Sequence, residues 1–156
     1  MSVHIQASDL LGAQGLVRVE RATATLPQTT DGALFTITGG DVLIHAILGE
    51  VTTAIQNQAN DTKLKFNPDE TGADVDLCAV LDVADDAVGT RYSITGDFSV
   101  AMKDGLNCLE TDALLERPIL LSEGDIELDC AASNTGSVAW KVLYSAVDDG
   151  ATIEAA

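Results

Sequence analysis

Two histidines, three cysteines and a dense set of carboxylates are the residues of this chain best suited to catalysis or metal binding. His45 stands inside the apolar run VLIHAIL, residues 42 to 48, with no serine, cysteine or acid beside it. His4 lies near the start of the chain, in a stretch that does not pattern like a folded element. A lone histidine in an apolar run packs and hydrogen-bonds more readily than it catalyses, so His45 is expected to be a buried core residue. A Ser-His-Asp arrangement assembles in space rather than along the chain, but no serine occupies a G-x-S-x-G elbow. The neighbouring acids Asp85 with Asp86, and Asp148 with Asp149, fall in turn-like sequence, where a solvated surface is the plain reading.

The acidic stretch NPDETGADVD, residues 67 to 76, offers Asp69, Glu70, Asp74 and Asp76 as hard oxygen ligands, with Gly72 allowing a tight turn. These four are the candidate metal residues. Their spacing does not fit the twelve-residue EF-hand loop, and Asp74 and Asp76 are expected to share the outer face of a strand. Cys78, Cys108 and Cys130 form no C-x-x-C pair and have no histidine near them, which disfavours zinc. An odd number of well-separated cysteines suits buried, reduced thiols without a disulfide. TITGGD carries neither G-x-G-x-x-G nor a G-K-[ST] ending, so no phosphate-binding loop is present. No catalytic residue and no cofactor are assigned.

The elements that would position these groups are strands. In DIELDC, Ile126, Leu128 and Cys130 alternate with Asp125, Glu127 and Asp129, the period of a half-buried strand. SVAWKVLY aligns Val138, Trp140, Val142 and Tyr144, and LFTIT aligns Phe35 with Ile37. DVDLCAVLDV aligns Val75, Leu77, Ala79, Leu81 and Val83, and FSVAM aligns Phe98, Val100 and Met102. Val42 to Leu48 reads as a central strand buried on both faces; Val51 to Gln56 either continues it past a bend or bulge at Gly49, or pairs with it. Turn sequences such as TTDGA, NPDETG, SEGD and SNTGS separate these runs.

The expected fold is therefore all-β: a single-domain antiparallel β-sandwich or jelly-roll-like barrel, with at most one or two short helical turns at residues 8 to 14 and 112 to 118. Residues 16–156 would form that domain and residues 1–15 a flexible N-terminal arm. With 156 residues the chain can close one core. One Trp, two Tyr and three Phe mean that the core is built mainly from Val, Ile, Leu and Ala. A formal charge of −17, from 25 acids and 8 bases, disfavours nucleic acid and anionic membrane as partners. No stretch has the length of a spanning helix, and no basic segment followed by an apolar one marks a secretory signal.

Three segments carry a family resemblance: LFTITGGDVLIHAILGEVTTAIQ, GTRYSITGDFS and PILLSEGDIELDCAASNTGSVAWKVLYSAVDDGATI. In arrangement and turn phrasing, from about residue 22 onward, they resemble small proteins of tailed bacteriophages regarded as head decoration (cement) proteins. The resemblance implies a non-enzymatic virion structural protein, made in the host cytoplasm and seated on the outer capsid surface as a homotrimer. Its partners would be the major capsid protein and itself, at the junctions of capsid subunits. Met1, Ser2, Val3, His4 and Ile5 would then form a capsid-contact arm. A phage tail or fibre module and a β-sandwich carbohydrate-binding module are the alternatives. A carbohydrate module would need exposed aromatics, whereas Trp140, Tyr92 and Tyr144 sit in apolar alternations. A cupin-type enzyme would need two or three histidines close together in the fold, and the chain has two in all.

Overall fold

The computed structural model describes residues 15–109 and 117–156. Among the described residues there are twelve β-strands and no helix. They are β1 (Val17–Thr25), β2 (Asp31–Thr38), β3 (Val42–Thr53), β4 (Asp61–Pro68), β5 (Val75–Asp76), β6 (Leu81–Asp82), β7 (Thr90–Ser93), β8 (Lys103–Leu106), β9 (Ile119–Leu121), β10 (Gly124–Cys130), β11 (Ser137–Ala146) and β12 (Thr152–Ala155). The expected arm, the helical turn at 8 to 14 and most of that at 112 to 118 lie outside the described residues.

Two six-stranded antiparallel sheets face each other. One has the order β1-β11-β3-β7-β8, with β9 also on β3; the other has β12-β2-β10-β4-β5, with β6 also on β4. The pairings are nested: β4 with β10, β3 with β11 and β2 with β12. The chain is thus one long hairpin wound over two layers, and the winding also sets β10 against β2 and β11 against β1. This is the expected jelly-roll-like sandwich, and among the described residues it stays open: β1 and β12, edge strands at one corner, approach without forming a ladder.

The inward faces form one hydrophobic cluster that includes Phe35, Ile37, Ile44, Ile47, Leu64, Ile126 and Trp140. Removing each such side chain from water contributes about 1.5–3 kcal/mol. Tyr92 and Trp140 stack with ring centroids 6.2 Å apart, and both are buried with Tyr144, so the aromatic residues named above belong to the core.

β3 departs from its expected form. It continues through Gly49 as one strand, the first of the two expected readings, but it is half-buried rather than buried on both faces. Its inward set changes phase between Ile44 and Ile47, because register slips where Leu143 pairs Ala46 and Tyr144 pairs Ile44. His45 is the extra residue of that bulge. Without the bulge, Ile47 and Val51 would face outward with Leu43. Gly49 lies opposite Trp140, and a Cβ there would meet the indole at 2.9 Å. The glycine makes room for the chain's one tryptophan.

Two other expected strands are broken. DVDLCAVLDV forms strand ladders with β4 at two short places, Val75–Asp76 and Leu81–Asp82. Between them Leu77 and Cys78 are consecutive buried residues, which ends the alternation and leaves Val75 43 % exposed. FSVAM is mostly turn: Val100 N–H donates to the carbonyl of Asp97 at 3.0 Å, Phe98 is exposed, and only Met102 enters the core.

Candidate interaction surface

His45 is half-buried on the outward side of the β3 bulge, where its Nε2 shares a 2.8 Å hydrogen bond with Ser145 Oγ. That corrects the expectation of a fully buried histidine: the bulge re-aims the side chain out of the core. The neighbouring acids serve turns and the core rim. Asp148 accepts from Asp41 N–H at 2.8 Å, and Asp86 accepts from the Tyr92 hydroxyl. Burial raises the Asp86 carboxyl above its ordinary value, more than the Tyr92 bond lowers it. Burial also pushes the Tyr92 hydroxyl up, with the Asp86 carboxylate adding to it.

All three cysteines are free. Cys78 and Cys130 are buried, and burial raises both thiols, Cys130 to about 11. Cys108 is exposed, contrary to the expectation of three buried thiols, because it lies just past the end of β8, the last strand in its sheet's order.

The four acids of residues 67 to 76 are not gathered into one site. Asp69 and Glu70 are exposed in the turn after β4. Asp76 lies 2.8 Å from Lys63 Nζ, and Asp74 lies 2.6 Å from Lys65 Nζ. Instead, carboxylate oxygens of Asp31, Asp74 and Glu127 converge within 4.8 Å of one another. The ammonium of Lys65 already pairs with all three, at 2.6 Å from Asp74 and 3.7 Å from Glu127, with Asp31 closer still. Burial pulls the Lys65 ammonium down, but hydrogen bonds to Asp31 and Asp74 outweigh it and hold its value above that of a free lysine. A hard cation would have to displace this lysine.

Sequence reasoning overlooked this cage, although its signal is present in DTKLKF. Alternation puts Lys63 and Lys65 on the face opposite Leu64 and Phe66, and antiparallel register sets them against Asp129 and Glu127. Acids on β10 and lysines on β4 are cross-strand partners.

The two outer faces differ in charge. Strands of the β10 sheet carry eight acids and two bases, and those of the β3 sheet carry three acids and five bases. The outer face of the β3 sheet also bears leucines. Leu43, Leu48 and Leu143 are half-buried there, and Leu120, paired with Leu43, is 59 % exposed. A hollow of about 290 Å³ opens on this face between Leu48, Glu50, Arg91, Cys108 and Lys141. Glu50 and Arg91 pair across its floor at 2.6 Å. The chain therefore presents one strongly acidic face and one nearly balanced, partly apolar face.

No protein-family model, curated protein or solved structure matches this chain.

Proposed function

We propose that the protein is a non-enzymatic structural component of a phage head, a decoration protein that forms a homotrimer on the outer capsid surface. The reading joins the sequence resemblance to one observation: the uneven division of charge between the two outer faces. The β3 sheet docks, on the major capsid protein and on neighbouring copies, and the β10 sheet faces solvent. A chain of charge −17 associates only where repulsion is weakest. The β3 sheet, with Arg18, Arg91, Lys103 and Lys141 against three acids in its strands and with exposed Leu120, meets that need. Its leucines supply the apolar centre of a contact and its Arg and Lys side chains the rim.

Sedimentation with purified capsids, run beside light scattering of the free protein, tests the proposal. The expected result is a trimer that co-sediments with capsids and raises the temperature at which packaged DNA escapes, as a ligand of the intact state must. Leu120→Glu should abolish capsid binding, whereas Glu154→Lys on the acidic sheet should leave it intact. A chain that stays monomeric at all concentrations removes the trimer. Failure to co-sediment removes the capsid role and leaves the tail or fibre reading.

A further inference from the structure

Among the described residues β1 is an edge strand, and it has one unusual inward residue. Val17, Val19 and Arg21 share the side of β1 that faces the other sheet, and register sets Arg21 opposite buried Trp140. Register then slips between Arg21 and Ala24, so the strand bows away from β11 at this point. The bow opens a cleft of about 190 Å³ at the unclosed corner of the sandwich, walled by Leu26, Leu34, Leu128 and Trp140, with Asp31 on its rim. Arg21 Nε is buried there and has no hydrogen-bond partner. Among the described residues no carboxylate pairs with this guanidinium, in a chain with 25 acids. Asp31, the acid that shares the cleft, is turned away and held by Lys65.

We propose that this corner cleft binds a carboxylate bearing a short apolar tail, with Arg21 as the residue that recognises the anion. Buried donors nearly always have partners, and on half-buried Arg21 the Nε donor has none. A guanidinium presents parallel N–H groups that match a carboxylate two to two. Four apolar walls suit a hydrocarbon tail, and the volume exceeds the roughly 150 Å³ that suffices to hold benzene. One guanidinium balances one negative charge, and the apolar walls offer a second charge no partner, so a monocarboxylate is the fitting class. That carboxylate belongs either to a free small acid or to the end of a partner's chain.

Trp140 is the chain's sole tryptophan and lines the cleft, so its fluorescence reports occupancy. Isovalerate, added at millimolar concentrations to the folded protein, should shift the emission saturably, and neutral isovaleramide should not. Arg21→Met keeps side-chain length without the charge and should weaken isovalerate by about tenfold or more, with Arg21→Lys between the two. A short peptide ending in valine, with a free or an amidated terminus, separates the sources. Tighter binding of the free-terminus peptide than of isovalerate identifies a partner's chain end, and the reverse identifies a small acid. Circular dichroism confirms that each variant is folded. Absence of a saturable response in the wild-type protein overturns the proposal, as does an equal response in Arg21→Met. An Arg21→Met protein that self-associates, where the wild type ignores isovalerate, assigns Arg21 to protection of the β1 edge instead.

Discussion

Replacing Lys65 by Met should be the most damaging single change on the acidic face, and its size follows from the geometry. Lys65 is 7 % exposed, and removing it leaves three carboxylate groups with oxygens within 4.8 Å of one another. At that spacing each pair of charges repels by about 0.9 kcal/mol in bulk water and about 3.5 kcal/mol at an effective dielectric of about 20. The side chains of Asp31 and Asp74 are 40 % and 43 % exposed, so they relax into solvent and the lower figure governs their mutual repulsion. Glu127, with a side chain 12 % exposed, cannot move away. Together these give a loss of about 2–4 kcal/mol at neutral pH, below the full cost of breaking a wholly buried pair. Urea unfolding followed by Trp140 fluorescence measures it. The loss should shrink as pH falls and the carboxylates gain protons, and Glu127→Gln in the Lys65→Met background should recover about half. Calcium should raise the melting temperature of Lys65→Met but not that of the wild type, since three oxygen ligands then stand open. A loss under about 1 kcal/mol, or one that does not change with pH, would refute the cage as an electrostatic unit.

Other expectations are separately measurable. The Asp86 and Asp129 carboxyls are raised chiefly by burial, so each destabilises the fold increasingly as pH climbs from the unfolded value, about 3.9, through the folded one. Asp82 is lowered by N–H groups of Asn60 and Ala84, and its contribution, present above about 3.9, disappears as pH falls through the folded value. Melting temperature against pH should therefore peak in the weakly acidic range, and Asp86→Asn should flatten the decline toward neutrality. Gly49→Ala forces a methyl group to within 2.9 Å of the Trp140 ring and should cost about 1–3 kcal/mol in chemical denaturation. A thiol reagent should titrate Cys108 in the folded protein at once, and Cys78 and Cys130 only after unfolding.

The strands that the sequence made legible are those with one wet and one dry face. β11 keeps strict alternation because its outer side chains, Ala139, Lys141 and Leu143, all lie on one surface. β10 does so nearly as well, except that outward Glu127 is buried under the lysine cage. β3 hid its form because the bulge at His45 inverts the pattern midway, and two inserted half-patterns look like one strand that is apolar on both sides. Residues 74 to 83 failed for the opposite reason. Their alternation is real on paper, but adjacent Leu77 and Cys78 both turn inward, where Cys78 Sγ meets Leu64 N–H at 3.3 Å. Of the site residues, Lys63, Lys65 and Arg21 were each readable from period two, but the residues set opposite them come from strands far away in sequence. Only the register of β4 on β10 brings the acids to the lysines, and only that of β1 on β11 sets Arg21 over Trp140.

The wound hairpin has a consequence for how the chain is made. β1 to β4 leave the ribosome first, yet each has at least one ladder partner among β10 to β12. At about 5–20 residues per second, synthesis from Pro68 to Gly124 takes about 3–11 s. During that interval four long strands, VLIHAIL among them, wait with unsatisfied edges. Neighbouring chains on one message then offer each other the same edges that β10 and β11 will later fill. The acids of this protein, 25 in 156 residues, keep such nascent chains apart before there is any fold to protect. Reversing acids of the linking segment, Asp69, Glu70, Asp85 and Asp104, to lysine should thus lower soluble yield during rapid synthesis while scarcely changing the melting temperature of the molecules that do fold.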